Sequence, residues 1–590
     1  MAADLDDKVL SSTVEHREDD SHNESVQPGT TDVENLNSSD FTWSFNILAN
    51  LFALYMIILT SSWSTIVPAT AIAFIAARFP EDASNAAWIA TSSALSSAVA
   101  AAFIGNMSDI FDRRSFLLFG CVLGCIGMLI GGRANSLSMV IGGQVLNGLG
   151  VGCGFLSNPL IQEIVPKNHR ALATAFATIF GAGSFIGAPI IEGVFIQRGI
   201  GGALEGWRIG FYVGAGLNLL TLISILLFYH PMPRPNPEGY SAKQRLLKLD
   251  WLGIFLACAG LTLFLVGINY GGNPYEWTSA IVLGTMIPGA VLLAIFGLWE
   301  WKGTSTGILP HAVFQDRNYN AALLIRVSGG FALYGCQAFL PQVVVHVFGT
   351  DGLMTAVWQL PMSVSTIMGA LVAAIILRYF KEIRWIVVGL LTILLIGACL
   401  MVLVKPGVNF AVWFFPSMLM GLAIGAEASL ITILSGLAAP NESIATAVCI
   451  GVAAGFIGGA IATTMYSQIF NAKIKEILPG AISKAAIAAG LPESRLADLL
   501  STYATKGIQA LPTVQGVTSE VVQAVTEASR SAYAKSFTYI WYTLVVFCVV
   551  SAMGCWFFTS TTKYFTDEIA APVMDRSNKN IQPNEKNERI

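Results

Sequence analysis

Residues 105–114 read Gly-Asn-Met-Ser-Asp-Ile-Phe-Asp-Arg-Arg. Asp109, Asp112, Arg113 and Arg114 make this stretch strongly charged, yet apolar runs flank it at 85–105 and 115–132. Each run has the roughly 20 residues that cross a bilayer core as a helix. A charged turn between two such runs belongs at a membrane surface, and the reading of the chain grows outward from it.

Twelve further apolar runs follow the same pattern, at 45–67, 138–158, 171–193, 208–229, 251–271, 278–299, 320–348, 353–377, 385–404, 410–436, 444–470 and 536–558. Backbone in lipid must satisfy its own hydrogen bonds, so these fourteen spans are helices. Composition agrees. Apolar residues make up 54% of the 590 and charged residues only 12%, about half the share of a soluble domain. Mean hydropathy is +0.63. A soluble enzyme, a nucleic-acid binder and a disordered scaffold are excluded for the bulk of the chain.

Positive charge orients the spans. With the N-terminus inside, the inner loops carry Arg113, Arg114, Lys167, Arg170, Arg234, Lys243, Arg245, Lys248, Lys302, Arg317, Arg378, Lys381 and Arg384. The outer loops carry only Arg78, Arg133, Arg198, Arg208 and Lys405. Both tails are then cytosolic and 471–535 is extracellular. Residues 1–44 are acidic, rich in Ser and Asn and without apolar periodicity, and are expected to be disordered. In the outer loop, Leu496, Leu499, Leu500 and Tyr503 follow Pro492 at helical spacing; Val521, Val525, Ala528 and Ala532 repeat the pattern. Two amphipathic helices over the outer mouth are expected.

An internal repeat is visible. Ala173-Thr174-Ala175 opens span 5, and Ala445-Thr446-Ala447 opens span 13. Glycine-rich helix follows both: Gly181, Gly183 and Gly187, then Gly451, Gly455, Gly458 and Gly459. If spans 7 and 8 are an insertion, the rest divides into bundles at 45–229 and 320–558, joined by 230–319 and closed by a cytosolic tail at 559–590. Repeats of this kind mark secondary transporters, whose site lies near the midplane between the halves.

The opening stretch resembles the Gly-x-x-x-Asp-x-x-x-Arg-Arg signature of the major facilitator superfamily, carried by Gly105, Asp109, Arg113 and Arg114. Asp112 stands where that family usually has glycine. Glu163 through Lys167, Phe228-Tyr229-His230-Pro231, Asp250 through Phe255, Tyr270-Gly271-Gly272 through Trp277, and Ala489 through Pro492 appear in family order. Together they resemble the fungal fourteen-span group typified by trichothecene efflux pumps, relatives of siderophore-iron importers. The resemblance implies an all-α major facilitator fold with two six-helix bundles and two additional helices. It implies proton-coupled export of a toxin or secondary metabolite, most naturally at the plasma membrane. The alternatives are a vacuolar or vesicle membrane, a siderophore-iron importer, and a non-transporting membrane sensor or receptor.

Candidate residues follow. Gly105, Asp109, Arg113 and Arg114 form a gating loop, in which Asp109 is able to pair with Arg113. The aspartate that many relatives carry late in span 1 is absent from Ser61-Ser62-Trp63-Ser64-Thr65, and Gln144 stands where span 4 often has arginine. Intramembrane charge therefore carries the information, at a cost of ~2.5–3.5 kcal/mol per mid-helix charge on insertion scales. Glu427, Arg326 and Glu192 are the candidate proton-coupling residues, with Arg326 a partner for Glu427. Gln144, Tyr334 and Gln337 are candidates for the substrate cavity. Scattered histidines, no zinc spacing and no Walker A loop argue against a metal, a cofactor, an enzyme and direct use of ATP. The expected partners are a small molecule, protons and the bilayer, not nucleic acid, and the chain is expected to work as a monomer. The cysteines lie within apolar segments and are expected to be free.

Overall fold

The computed structural model describes residues 43–79, 88–110, 112–166, 169–202, 205–231, 244, 249–272, 275–304, 309, 311–350, 352–440, 443–506 and 508–564. The acidic N-terminal tail, most of the 230–249 linker and the tail beyond 564 lie outside them, as do the side chains of Asn106 and Asp109.

The fourteen expected spans are all helical. They are α1 (Phe45–Arg78), α2 (Trp88–Ile110), α3 (Arg113–Gly132), α4 (Leu137–Gly154, resumed after a turn by Ser157–Ile164), α5 (Arg170–Gln197), α6 (Trp207–Phe228), α7 (Trp251–Tyr270) and α8 (Ala280–Leu298). The second half holds α9 (Arg317–Val343), α10 (Gly352–Tyr379), α11 (Ile383–Met401), α12 (Phe410–Ala438), α13 (Ile444–Ala488) and α14 (Ser519–Gly554). Thirteen are long and apolar enough to cross a membrane among the described residues. The remaining one, α2, carries an apolar stretch over Trp88–Ala102 among the described residues. Many helices start on a side-chain cap: Ser44, Asp112, Ser136, Asp250, Ser279, Asp316 and Asn409 each accept from a backbone N–H one to three residues into the helix. Asp112 thus has a local task that glycine cannot perform, which accounts for its departure from the family pattern.

The repeat extends into the packing. On α4, Gly148 and Gly152 let the helix lie against α2, where added Cβ atoms would fall 2.9 Å from Ser93 Cα and 3.1 Å from the Ser97 carbonyl oxygen. On α12, Gly421 and Gly425 do the same against α10, 3.0 Å from Met362 C and 2.7 Å from Thr366 C. The halves meet along two seams, α5 against α10 and α2 against α13.

The inserted hairpin α7–α8 explains two quoted motifs. Asp250 caps α7 by accepting from Gly253 N–H at 2.8 Å and from Trp299 Nε1 of the following helix end at 2.8 Å. Gly271 gives its carbonyl to Gln468 of α13 at 2.7 Å, while Tyr270 packs on Trp88 of α2 with ring centroids 4.9 Å apart. Gly272 turns there with φ +81°. The Tyr-Gly-Gly motif thus docks the hairpin on the α2–α13 seam.

The 471–535 expectation needs correcting. Residues 471–488 are not loop but the continuation of α13, one helix of 45 residues. The Val521–Ala532 stripe is the first part of α14 rather than a separate helix. Only Leu496–Lys506 stands alone. Leu499 joins Ile482, Ala486, Leu491, Leu511, Val521 and Val525 in a small core of its own. The cause is that Lys473, Lys475 and Glu476 suit a helix leaving the membrane as well as they suit a loop. All nine cysteines are free; Cys399 is exposed and Cys125 and Cys258 partly so.

Candidate functional site

The signature loop builds a charge cluster at the end of the molecule that carries the basic loops. Arg113 is 7% exposed and forms an ion pair with Glu163, itself 2% exposed, at the end of α4. Arg114 donates to the Leu226 carbonyl of α6 at 2.7 Å. The expected Asp109–Arg113 pairing lies outside the described side chains; the described partner of Arg113 is Glu163. Gln162 and Arg170, close to Glu163 in sequence, reach across to the other half. Gln162 Nε2 donates to the Thr432 carbonyl at 3.2 Å, and Arg170 Nη1 donates to the Gly436 carbonyl at 3.2 Å, both on α12. Gly105 lies so close to α13 that a Cβ would fall 2.8 Å from Thr446 Cα. Gly105, at the start of the signature stretch, therefore sits where the two halves touch.

Sequence reasoning treated Arg170 as a loop charge and Gln162 not at all. Arg170 is fully buried. Its only sequence signal is its place one turn after Pro166, at the start of a span, where a helix opening against protein rather than water needs a donor to reach across.

Deeper in, the halves differ. Inside the first, Asn147 Nδ2 donates to the Ser64 carbonyl at 2.9 Å and to Gln144 Oε1 at 3.0 Å. Asn218 Nδ2 donates to Ser64 Oγ at 3.3 Å, and Thr60 and Thr221 share a hydrogen bond of 2.7 Å. This neutral belt lines a small cavity between α1, α3, α4 and α6. Gln144 belongs to the belt, and its described contacts lie within its own half. The structure does not bring it to Tyr334 or Gln337.

Inside the second half, the matching cavity between α9, α11, α12 and α14 contains Glu427 among Gly329, Ala332, Leu390, Leu394 and Leu544. Glu427 is 5% exposed, and its Oε1 has no hydrogen-bond partner among the described residues. Its carboxyl lies on Gly329, where a Cβ would fall 2.7 Å from the carboxyl carbon. Arg326 runs along Gly455 of α13, with Nε 3.1 Å from a Cβ built there. It acts electrostatically on Glu427 and Tyr334 without an ion pair to Glu427 among the described residues.

Tyr334 packs on Phe456 with ring centroids 5.0 Å apart, and Phe456 in turn packs on Phe155 of the first half at 5.0 Å. Gln337 is half-buried, three residues along from Tyr334. Glu192 is fully buried in the first half, apart from the other candidates. Among the described residues no cluster of three or more His, Cys, Asp or Glu is placed to hold a metal.

A model of the fungal trichothecene efflux pump family matches residues 11–588. The chain belongs to that family. Its relatives include the trichothecene efflux pump TRI12 of Fusarium sporotrichioides, 25% identical over 82% of this chain and 81% of the relative. The efflux pump dotC of Dothistroma septosporum is 29% identical over 54% and 53%. The aspyridones efflux protein of Neocamarosporium betae is 26% identical over 73% and 76%. Among solved structures, the major facilitator proton:xylose symporter XylE superposes with a TM-score of 0.53 at 14% identity, covering 89% of this chain and 97% of XylE. A bacterial homologue of the lysosomal transporter Spinster gives 0.51 at 17%, covering 86% and 95%. This efflux-pump family member is a multi-pass major facilitator transporter and not an enzyme. The siderophore-importer alternative finds no support in these relatives.

Proposed function

We propose that this efflux-pump family member exports a small apolar toxin or secondary metabolite across the plasma membrane by alternating access, driven by inward proton flow. The basic end faces the cytosol. The observation that carries the proton step is Glu427: a carboxyl in an apolar cavity, seated on a glycine, with a cation near but not paired. Such a group changes charge with small cost in geometry and large cost in electrostatics, which is what coupling needs. Arg326 compensates the anion in one state and turns toward the Tyr334–Gln337 side in the other. The contacts from Gly105, Gln162 and Arg170 to α12 and α13 are those that opening toward the cytosol must break. Arg113 and Arg114 hold them in register.

The test is substrate movement in reconstituted vesicles with and without a pH gradient. Glu427→Gln should lose gradient-driven accumulation while keeping downhill exchange. Accumulation equal to the wild type would remove Glu427 from the coupling.

A further inference from the structure

Glu192, a proton-coupling candidate by sequence, has no part in the Glu427 step proposed above. It lies on α5, three residues past Pro189, and no part of it reaches solvent. Neither carboxyl oxygen has a hydrogen-bond partner among the described residues. The carboxyl lies on Gly210 of α6, where a Cβ would fall 2.6 Å from the carboxyl carbon and 2.8 Å from Val67 Cγ1 of α1. Gly210 is therefore a notch filled by a carboxyl group. The nearby donor Trp63 Nε1 is spent on the Gly210 carbonyl at 3.2 Å. Ala188, Trp207 and Phe211 make the surroundings apolar.

The ionisable groups on the helices packed against α5 are committed elsewhere or distant along the chain. On α6, Arg208 bonds Glu205 and the Gly132 carbonyl, and Tyr212 donates to the same carbonyl. On α1, Arg78 holds Glu205, and Tyr55 donates to the Ala173 carbonyl. On α4, Glu163 holds Arg113. On α10, Arg378 and Tyr379 lie at the basic end; on α12 the acid is Glu427 in the other half's cavity. A carboxylate anion left unpaired in this notch would cost several kcal/mol. A notch of this kind favours the neutral acid over the anion.

Pro189 removes one backbone hydrogen bond and gives α5 a hinge just before Glu192. Taken as a whole, α5 borders α10 of the second half. We propose that Glu192 is a proton-operated plug. With its proton on, it fills the Gly210 notch and fastens the outer part of α5 to α1 and α6. When the proton passes to water at the outer end, the anion withdraws and the segment beyond Pro189 is freed against α10. The plug rests on the transport reading but is separate from Glu427, since it sits in the other half and sets the packing of a seam.

The experiment measures hydrogen-exchange protection of residues 190–197 in the full-length protein across pH, beside the pH profile of downhill efflux from vesicles. In the wild type, protection should fall about tenfold or more as pH rises through the titration. Glu192→Gln, which keeps the neutral shape, should hold full protection at every pH and flatten the efflux profile. Gly210→Ala, which fills the notch, should lose protection at every pH. Wild-type and Glu192→Gln protection that superpose across pH would overturn the plug, whether or not Gly210→Ala folds. A pH-dependent wild-type segment without any efflux would instead support the plug and remove the transport reading.

Discussion

The two halves share a scaffold and differ in what they bury. Helix α4 crosses α2 on Gly148 and Gly152; α12 crosses α10 on Gly421 and Gly425 at the same spacing. Yet the first half splits its apolar core into two clusters, one at each end, with the Thr60–Asn147–Asn218 belt between them. The second half has one large cluster running through it, with Glu427 among its members' helices, beside smaller clusters around Tyr319 and around Leu499. The size pattern is exchanged as well. In the first half a large residue, Ile57, faces Gly154, with Ile57 Cγ2 3.2 Å from a Cβ built there. In the second half the large residue is Glu427 on α12 and the small one Gly329 on α9. The lesson is that one repeat places an acid by swapping which helix of a pair supplies the bulk, with the glycine spacing of the crossing kept.

The largest test of this contrast is the Arg113–Glu163 pair, which the second half replaces with Ile383 at the start of α11. Breaking a buried pair by removing one partner leaves a buried charge and costs ~3–5 kcal/mol. Arg113→Met should therefore destabilise the protein by about that much, measured by denaturation in detergent. Replacing both residues with apolar ones should recover most of the loss, since the second half works without the pair. A single substitution as benign as the double one would show that water reaches the charge left behind.

Next come the crossing glycines. Gly148→Val and Gly421→Val each force a side chain into backbone, at the upper end of the ~1–3 kcal/mol usual for overpacking. Equal losses in thermal stability would confirm that the repeat is one of packing. A large loss in one half alone would break it.

These positions also show what was legible before the fold was known. Fourteen helical spans and the six-plus-six frame follow from apolar runs and a local signature, because lipid forces helices and charge marks their ends. The intramembrane acids were legible for the same reason: a lone Glu among apolar residues stands out. Their partners were not. Glu163 meets Arg113 across fifty residues, Arg170 finds a carbonyl on α12, and Gln144 turns into its own bundle rather than toward Tyr334. Which face a polar residue turns depends on neighbours distant in sequence, and helices apolar all round carry no periodicity to reveal it. The α13 extension was missed because polarity ends a membrane span without ending a helix.

A third test lies in the neutral belt. Asn147→Leu removes the donor to Ser64 and Gln144 and leaves their oxygens buried, costing ~1–3 kcal/mol. Gradient-driven transport should survive in the molecules that fold, because the belt has no titratable member. Loss of coupling with normal stability would move the coupling site into the first half.

The smallest effect concerns two helix starts. Asp112 caps α3 itself, accepting from Arg114 and Ser115 N–H groups. Its counterpart Glu382, before α11, makes no such cap. There the cap comes from the tail: Ile383 N–H donates to Thr561 Oγ1 at 3.0 Å, and Thr561 donates to the Lys381 carbonyl at 2.8 Å. Glu382 instead accepts from Ser560 and from Thr562, the latter at 2.8 Å. Those hydroxyl hydrogen bonds hold its carboxyl below the usual carboxylate range. The sign follows. A lowered value in the folded state means that the attachment is complete above the ordinary carboxylate range and weakens as pH falls through the folded value. Thr561→Val should cost about 1 kcal/mol or less at neutral pH, the worth of one cap. Glu382→Gln should cost less still, and should remove the acid-dependent part. The measurement is protease sensitivity of residues 559–564 in detergent-solubilised protein at neutral and acidic pH. Wild-type sensitivity should rise on acidification and that of Glu382→Gln should stay level. If both rise together, Glu382 does not hold the tail, which rests on Thr561, Asn318 and Asp316, and the two helix starts differ only in which residue supplies the cap.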